Sequence, residues 1–164
     1  YMGLPKADKL EHVIQKATEL GATEIVAFPG ARSVSRPDEK SLDKKLERWQ
    51  KIAASASEQC GRGRVPTVRV LGSFRQALED AGKSDLAILF YENEEATTLK
   101  MALSREKFGS ISLITGPEGG LEETEVAMAR DAGVQVCTLG KRILRCETAP
   151  LCALSAVMYH VGEF

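Results

Sequence analysis

Two short segments gather most of the residues able to hold a small ligand and act on it. The first, ITGPEGG at 114–120, sets Thr115, Gly116, Pro117, Glu118, Gly119 and Gly120 in a row. Its three glycines permit close backbone approach to a ligand, and a positive φ is expected at Gly116 and Gly119. No Lys-Ser/Thr pair follows, so the segment is not a phosphate loop. Glu122, Glu123 and Glu125 fall in the expected first turns of a helix, where they repel the anion that a helix start otherwise attracts. A neutral or cationic ligand fits better, and the sulfonium and ammonium groups of S-adenosylmethionine meet that description. The second segment, LGKRILRCETA at 139–149, packs Lys141, Arg142 and Arg145 with Glu147 and the apolar Ile143 and Leu144. Its residue types suit phosphate contacts, stabilisation of developing negative charge and proton transfer. The plain alternative is a solvated basic loop with Ile143 and Leu144 tucked into the core.

Both segments should sit where strands end, because ligands of open α/β sheets settle beyond the carboxyl ends of the strands. The pattern supplies such strands. Apolar runs at 23–28, 67–71, 85–91, 110–115 and 134–139 alternate with helical patterns at 6–20, 39–60, 74–81, 96–104, 121–132 and 148–161. The alternation predicts an α/β domain with a largely parallel sheet covered by helices. Within 6–20, Leu10, Val13, Ile14, Ala17 and Leu20 share a face, and Gly21 follows where a left-handed cap wants glycine. Leu42, Leu46, Trp49, Ile52 and Ala56 line one side of 39–60, and the other side is basic. The last helix has Thr148 as its expected cap, Pro150 in its first turn, and then apolar residues nearly all round. In a chain this short, such a helix argues for a subunit interface. Tyr1, Met2 and Gly3 read as a remnant or the end of a linker.

The chain has 164 residues, 43% apolar and 27% charged, which suits one soluble domain with a real core. Twenty-two basic residues against 23 acidic ones leave a formal charge of −1, so any contact with a polyanion must be local or assisted elsewhere. No apolar run reaches the length of a membrane span and residues 1–6 lack a signal-peptide pattern, so a cytoplasmic protein is expected. There is no C-x-x-C pair, and His12 and His160 stand far from any ligand spacing, so no metal is expected. Cys60, Cys137, Cys146 and Cys152 read as free thiols, with Cys137 and Cys152 acting as small hydrophobes. A nucleophilic Cys146 is the alternative.

Taken together these segments resemble a known family. ITGPEGG followed by LGKRILRCETA, with QKATELGATEI at 15–25, ARSVSR at 31–36 and SEQCGRGRVP at 57–66, is similar to the RsmE family of 16S ribosomal RNA uridine-N3 methyltransferases. The similarity covers nearly the whole chain. It implies a SPOUT-type α/β domain whose C-terminal segment threads through a loop as a trefoil knot, an exception to the general rule against knots. It also implies a homodimer, a bent S-adenosyl-L-methionine cofactor held by three loops, and 16S rRNA or the assembled small ribosomal subunit as partner. Neither membrane nor metal is implied. Carried onto this sequence, the loops are Leu89, Phe90, Tyr91 and Glu92; Thr115, Gly116, Pro117, Glu118, Gly119 and Gly120; and Leu139, Gly140, Arg142, Ile143 and Leu144. The family's N-terminal PUA-like RNA-binding domain is not found in this sequence, and 1–164 is expected to be a single methyltransferase domain. RNA contacts are then expected from Arg32 and Arg36 in one loop, Gln59, Arg62 and Arg64 in another, and Lys141 beside the pocket. For any single arginine, a solvated surface charge is the alternative.

Uridine N3 keeps its proton at neutral pH, so its methylation calls for a base and for a cation facing the flanking carbonyl oxygens. Such a base is typically worth about 10²–10⁴-fold, and a donor aimed at a developing oxyanion about 10²–10³-fold. Arg145 is the expected cation. Glu118 or Glu147 is the candidate base, unless these carboxylates anchor loop amides instead. A SPOUT methyltransferase with another RNA target would share the knot and cofactor but not SEQCGRGRVP. A catalytically silent RNA-binding protein of this fold would tolerate loss of ITGPEGG. A nucleotide-binding α/β protein would need the third glycine and following helix that GRGRVP lacks.

Overall fold

Each expected apolar run becomes a strand in the computed structural model, which describes residues 1–34, 39–105 and 107–164. The strands are β2 (Glu24–Phe28), β3 (Thr67–Val70), β4 (Leu86–Phe90), β5 (Ile111–Ile114) and β6 (Gln135–Cys137). The helices are α1 (Lys9–Glu19), α2 (Glu39–Gln59), α3 (Phe74–Ala81), α4 (Leu99–Arg105), α5 (Glu123–Asp131) and α6 (Thr148–Val161). Two helices, α1 and α4, begin a full three residues later than their periodicity suggests. Ala7 has a φ of 55°, which no helix continues, so α1 starts at Lys9. Before α4, the Glu94 carboxylate accepts the N–H groups of Ala96 and Thr97, and Thr98 Oγ1 accepts that of Met101, so a turn replaces the first helical residues.

Met2 and Gly3 correct the reading of the first residues as a remnant. They form β1 (Met2–Gly3), which pairs in parallel with β2 through Met2↔Ala27 and Gly3↔Phe28. On its other side β1 meets the end of β5: Gly3 N–H donates to Thr115 O at 2.8 Å and Thr115 N–H to Tyr1 O at 2.9 Å. This two-residue strand therefore joins two three-stranded halves into one parallel sheet, ordered β3-β2-β1-β5-β4-β6. At one edge, Gln50 of α2 donates to Pro66 O and accepts the Val68 N–H, blunting β3 as a pairing template.

Helices cover both faces, which is why β4 reads LAILF without a polar break. Strand alternation sends Phe28, Ala87, Leu89, Ile114 and Val136 to the side of α3 and α5. The opposite side has two patches. Met2, Ile25, Ala27 and Val68 pack against α1 and α2, while Leu86, Ile88, Phe90 and Cys137 pack against α4 and α6. Gly21 follows α1 with a φ of 97°, as its cap position requires, and a Cβ there would lie 2.1 Å from Met158 Cε of α6.

The last helix departs from expectation in two ways, its cap and Cys152. Its cap is Glu147, not Thr148, because Thr148 N–H already donates to Arg145 O and begins the first turn. Cys152 is exposed and does not act as a buried hydrophobe, because the burial of Ala153 and Val157 turns it outward. Tyr159 and Val161 are 75% and 49% exposed, so this chain leaves part of the apolar girth uncovered.

Candidate active site

The strand ends of β4, β5 and β6 open into a cavity of about 490 Å³, within the usual size of small-molecule sites. Its walls are the three expected loops. Phe90, Tyr91 and Glu92 come from the end of β4; Thr115, Gly116, Pro117, Glu118, Gly119 and Gly120 from the turn after β5; Leu139, Gly140, Lys141, Arg142, Ile143, Leu144 and Arg145 from the approach to α6. Leu89 is not among them. It is completely buried, because alternation along β4 points it at α3 and α5 when Phe90 faces the opposite side.

Close approach rather than positive φ explains two of the loop glycines. Gly116 and Gly119 do not have positive φ, contrary to expectation, whereas Gly120 and Gly140 do, at 70° and 102°. A Cβ on Gly119 would stand 2.9 Å from Arg32 Cβ, and one on Gly116 would stand 3.0 Å from Leu121 Cγ. The turn is thus pressed between neighbouring segments. Beneath it Gly3 has the same role, since a Cβ there would meet Pro117 Cδ at 2.4 Å.

Glu125 fixes the far side of this turn. Buried at the start of α5, it accepts the Glu122 N–H through one oxygen and the Ala31 N–H through the other, each at 2.9 Å. That second bond draws the arginine loop onto the glycine turn of the same chain. Arg32 then donates to Gly119 O at 3.1 Å and stands 3.8 Å from Glu122.

Lys9, which sequence reasoning missed, stands in the cavity wall. Its ammonium lies 3.3 Å from Glu118 Oε1 and 3.3 Å from Glu147 Oε2. Both candidate bases are therefore already engaged. Burial pushes Glu118 up, but the N–H groups of Lys6 and of Glu118 itself, with Lys9, more than reverse this and hold it below the ordinary carboxylate range. For Glu147 the Cys146 thiol, its own N–H and Lys9 have the same effect. The surroundings of Cys146 disfavour a thiolate: burial first, and then its hydrogen bond to Glu147 at 3.2 Å, push its thiol up to about 12.

The candidate cations divide into two kinds. Lys141, Arg142 and Arg145 are exposed at the cavity rim and none makes an ion pair among the described residues. Ile143 beside them is 86% exposed, so it is not tucked into the core, and Leu144 is half-buried. Arg62 is of the other kind. Its guanidinium donates to Thr18 O, Ala22 O and Gly21 O, capping the end of α1, so its charge is engaged within the molecule. Gln59 and Arg64 are exposed, and Arg36 lies outside the described residues. Sequence reasoning also missed Leu121, Thr138 and Ala149 in the wall, which Cys146 joins. Nearness to the two motifs is the signal that would have found these three.

Among the described residues no group of three metal-ligating side chains gathers, and no helix is long and apolar enough to cross a membrane.

Comparison with known proteins places this geometry. The family model for the RNA methyltransferase domain matches residues 1–158. The Bacillus subtilis ribosomal RNA small subunit methyltransferase E is 46% identical over 162 residues, 96% of this chain and 63% of the relative. Its Synechocystis counterpart is 38% identical, covering 95% of this chain and 51% of the relative. The crystal structure of the Neisseria gonorrhoeae protein of that name, bound to S-adenosyl methionine, superposes with a TM-score of 0.86 at 38% identity, covering 96% of this chain and 63% of that one. The chain thus spans between half and two thirds of the length of these relatives. On the family match and these similarities, the chain belongs to the RNA methyltransferase domain family, and within it to the group of the ribosomal RNA small subunit methyltransferase E proteins.

Proposed function

We propose that this chain is a single methyltransferase domain, using S-adenosyl-L-methionine to methylate N3 of a uridine in 16S ribosomal RNA of the small subunit. The observation that carries the reading is the cavity itself, built from three loops at the carboxyl ends of three adjacent parallel strands and rimmed by the exposed cations Lys141, Arg142 and Arg145. Its residues suit the cofactor. Leu121, Leu139 and Leu144 give apolar wall for an adenine ring, Glu92 carries the sign that a sulfonium and ammonium require, and Gly116, Gly119 and Gly120 leave backbone accessible. When bound, S-adenosylmethionine supplies an electrophilic methyl group.

The protein's own contribution is placement and charge. Arg145, exposed at the rim, faces negative charge spreading onto the uracil carbonyls and so lowers the cost of removing the N3 proton. A base works best when it titrates near the working pH, and Glu118 and Glu147 are held lower. In this reading both carboxylates anchor loops. Arg32, Arg64, Gln59 and Lys141 supply contacts to the RNA backbone, which position the substrate without reading its sequence.

The same reading makes the protein a cytoplasmic homodimer, supported by the exposed Tyr159 and Val161 of α6. It also includes a trefoil knot. In support, the chain leaves β6 beyond β4 and returns by Cys146 to Lys9, across the end of β4.

The test incubates the purified chain with small subunits lacking the modification, followed by mass spectrometry of the RNA. Methyl at uridine N3 is expected, with S-adenosylmethionine bound at micromolar strength. Methyl found only on a ribose hydroxyl, or on another base, would overturn the reading.

A further inference from the structure

We infer that Lys9 is a positioning residue that clasps the loop 115–121 to the loop 139–147 and so sets the width of the cavity between them. Its effect on catalysis rests on the methyltransferase reading above; the clasp itself does not. The two carboxylates that Lys9 meets come from separate segments, Glu118 from the turn after β5 and Glu147 from the cap of α6. Lys9 Nζ also stands 3.8 Å from Cys146 Sγ. The lysine is the first residue of α1, whose Leu10, Val13, Ile14 and Ala17 are buried against β1 and β2. One end of the clasp is therefore fixed to the core.

Two carboxylates converging on one point repel each other unless a cation stands between them. Without the ammonium, Glu118 and Glu147 face each other as like charges, and the least costly response is for one loop to swing away. Glu118 has one further tether, since Lys6 N–H donates to its Oε1 at 2.8 Å. That bond ties the same turn to the segment just before α1 and loosens with it. The side chains of Lys9, Glu118 and Glu147 are 30%, 28% and 29% exposed, so water softens the attraction. Loss of the clasp should show in loop spacing and leave global unfolding little changed.

The experiment compares Lys9→Gln, Lys9→Arg and the double variant Lys9→Gln/Glu147→Gln in the full chain. The first readout, without cofactor, is amide hydrogen exchange at Lys6 and across 116–121. Exchange should quicken about tenfold in Lys9→Gln, stay near wild type in Lys9→Arg, and be partly restored in the double variant, where one of the two facing charges is gone. The second readout is S-adenosylmethionine affinity by calorimetry. It should fall about three- to tenfold in Lys9→Gln, with KM for the cofactor rising and kcat changing less. Wild-type exchange in Lys9→Gln overturns the clasp. Quickened exchange with unchanged affinity overturns its control of the cavity. Should Lys9→Gln not fold, Glu147→Gln keeps the Lys9–Glu118 arm and releases the other, so exchange should quicken across 139–147 and stay near wild type across 116–121, and wild-type exchange across both overturns the clasp. A wild-type chain that binds no cofactor sinks the methyltransferase reading, while the exchange comparison still decides the clasp.

Discussion

Gly140 and Gly133 form a matched pair that separates the cavity's needs from those of the fold. Both have positive φ, 102° and 79°, and a Cβ added at either meets nothing within 4 Å. Alanine at either position therefore adds backbone strain without a clash. A left-handed L-residue costs roughly 1–2 kcal/mol, and the stiffer unfolded chain returns roughly 0.4–1 kcal/mol, leaving about 1 kcal/mol of lost stability. Gly133 closes α5, with its N–H on Arg130 O and the next N–H, that of Val134, on Ala129 O, so the helix end cannot relax and Gly133→Ala should show the full loss in denaturant melts. Gly140 sits in a cavity loop where its N–H is held by Thr138 Oγ1 at 3.1 Å. Such a loop can relax out of the left-handed region, and cofactor binding must then restore it. Restoring roughly 1–2 kcal/mol of strain weakens binding by about five- to thirtyfold. Calorimetry with S-adenosylmethionine on both variants is the assay, and Gly133→Ala should bind as wild type. A Gly140→Ala chain that binds within about twofold of wild type would refute the reasoning, since its loop would then not need this conformation to hold the ligand.

Three further outcomes follow from packing and charge. Gly119→Val should push the turn away from Arg32, whose Cβ would lie 2.9 Å from the new Cβ, and abolish cofactor binding while circular dichroism stays native. Tyr159→Glu, placed on the exposed side of α6, should give monomers in sedimentation, whereas Met158→Glu should also unfold the chain because Met158 packs on Gly21. Asp80 is held down at about 2 by Lys83 first, against burial, and then by Arg69 and Tyr1. Its pKa is depressed in the folded state, so its contribution, about 2 kcal/mol, is complete above about pH 4 and is lost as the pH falls through 2. Asp80→Asn should flatten that part of the stability curve, measured by urea melts from pH 5 to pH 2.

The strands were legible because a parallel sheet covered on both faces needs unbroken apolar runs, and LAILF at β4 is such a run. β1 was not legible, for the opposite reason. Two residues are too few to show a period, and what makes Met2 and Gly3 a strand is the gap between β2 and β5 that they fill. The start of α1 was misplaced because propensity does not register a single left-handed Ala7. Thr148 looked like a cap because threonine usually is one; here the turn begins a residue earlier, around Arg145 O.

Within the site, local signals carried far and long-range partners did not. Glycines and cations packed into two short segments announced the cavity, since only tight turns and charged rims need such composition. What those residues do depended on partners distant in sequence. Arg62 looked like its neighbour Arg64 until the three carbonyls at the end of α1 claimed its guanidinium. Glu118 and Glu147 looked like bases because carboxylates beside a cofactor loop often are. Their partner is Lys9, more than a hundred residues upstream, and its spacing to either carboxylate follows only from α1 packing beneath β1. A charge that the fold must first bring into place cannot be read from a motif, and here that charge already pairs with both candidate bases.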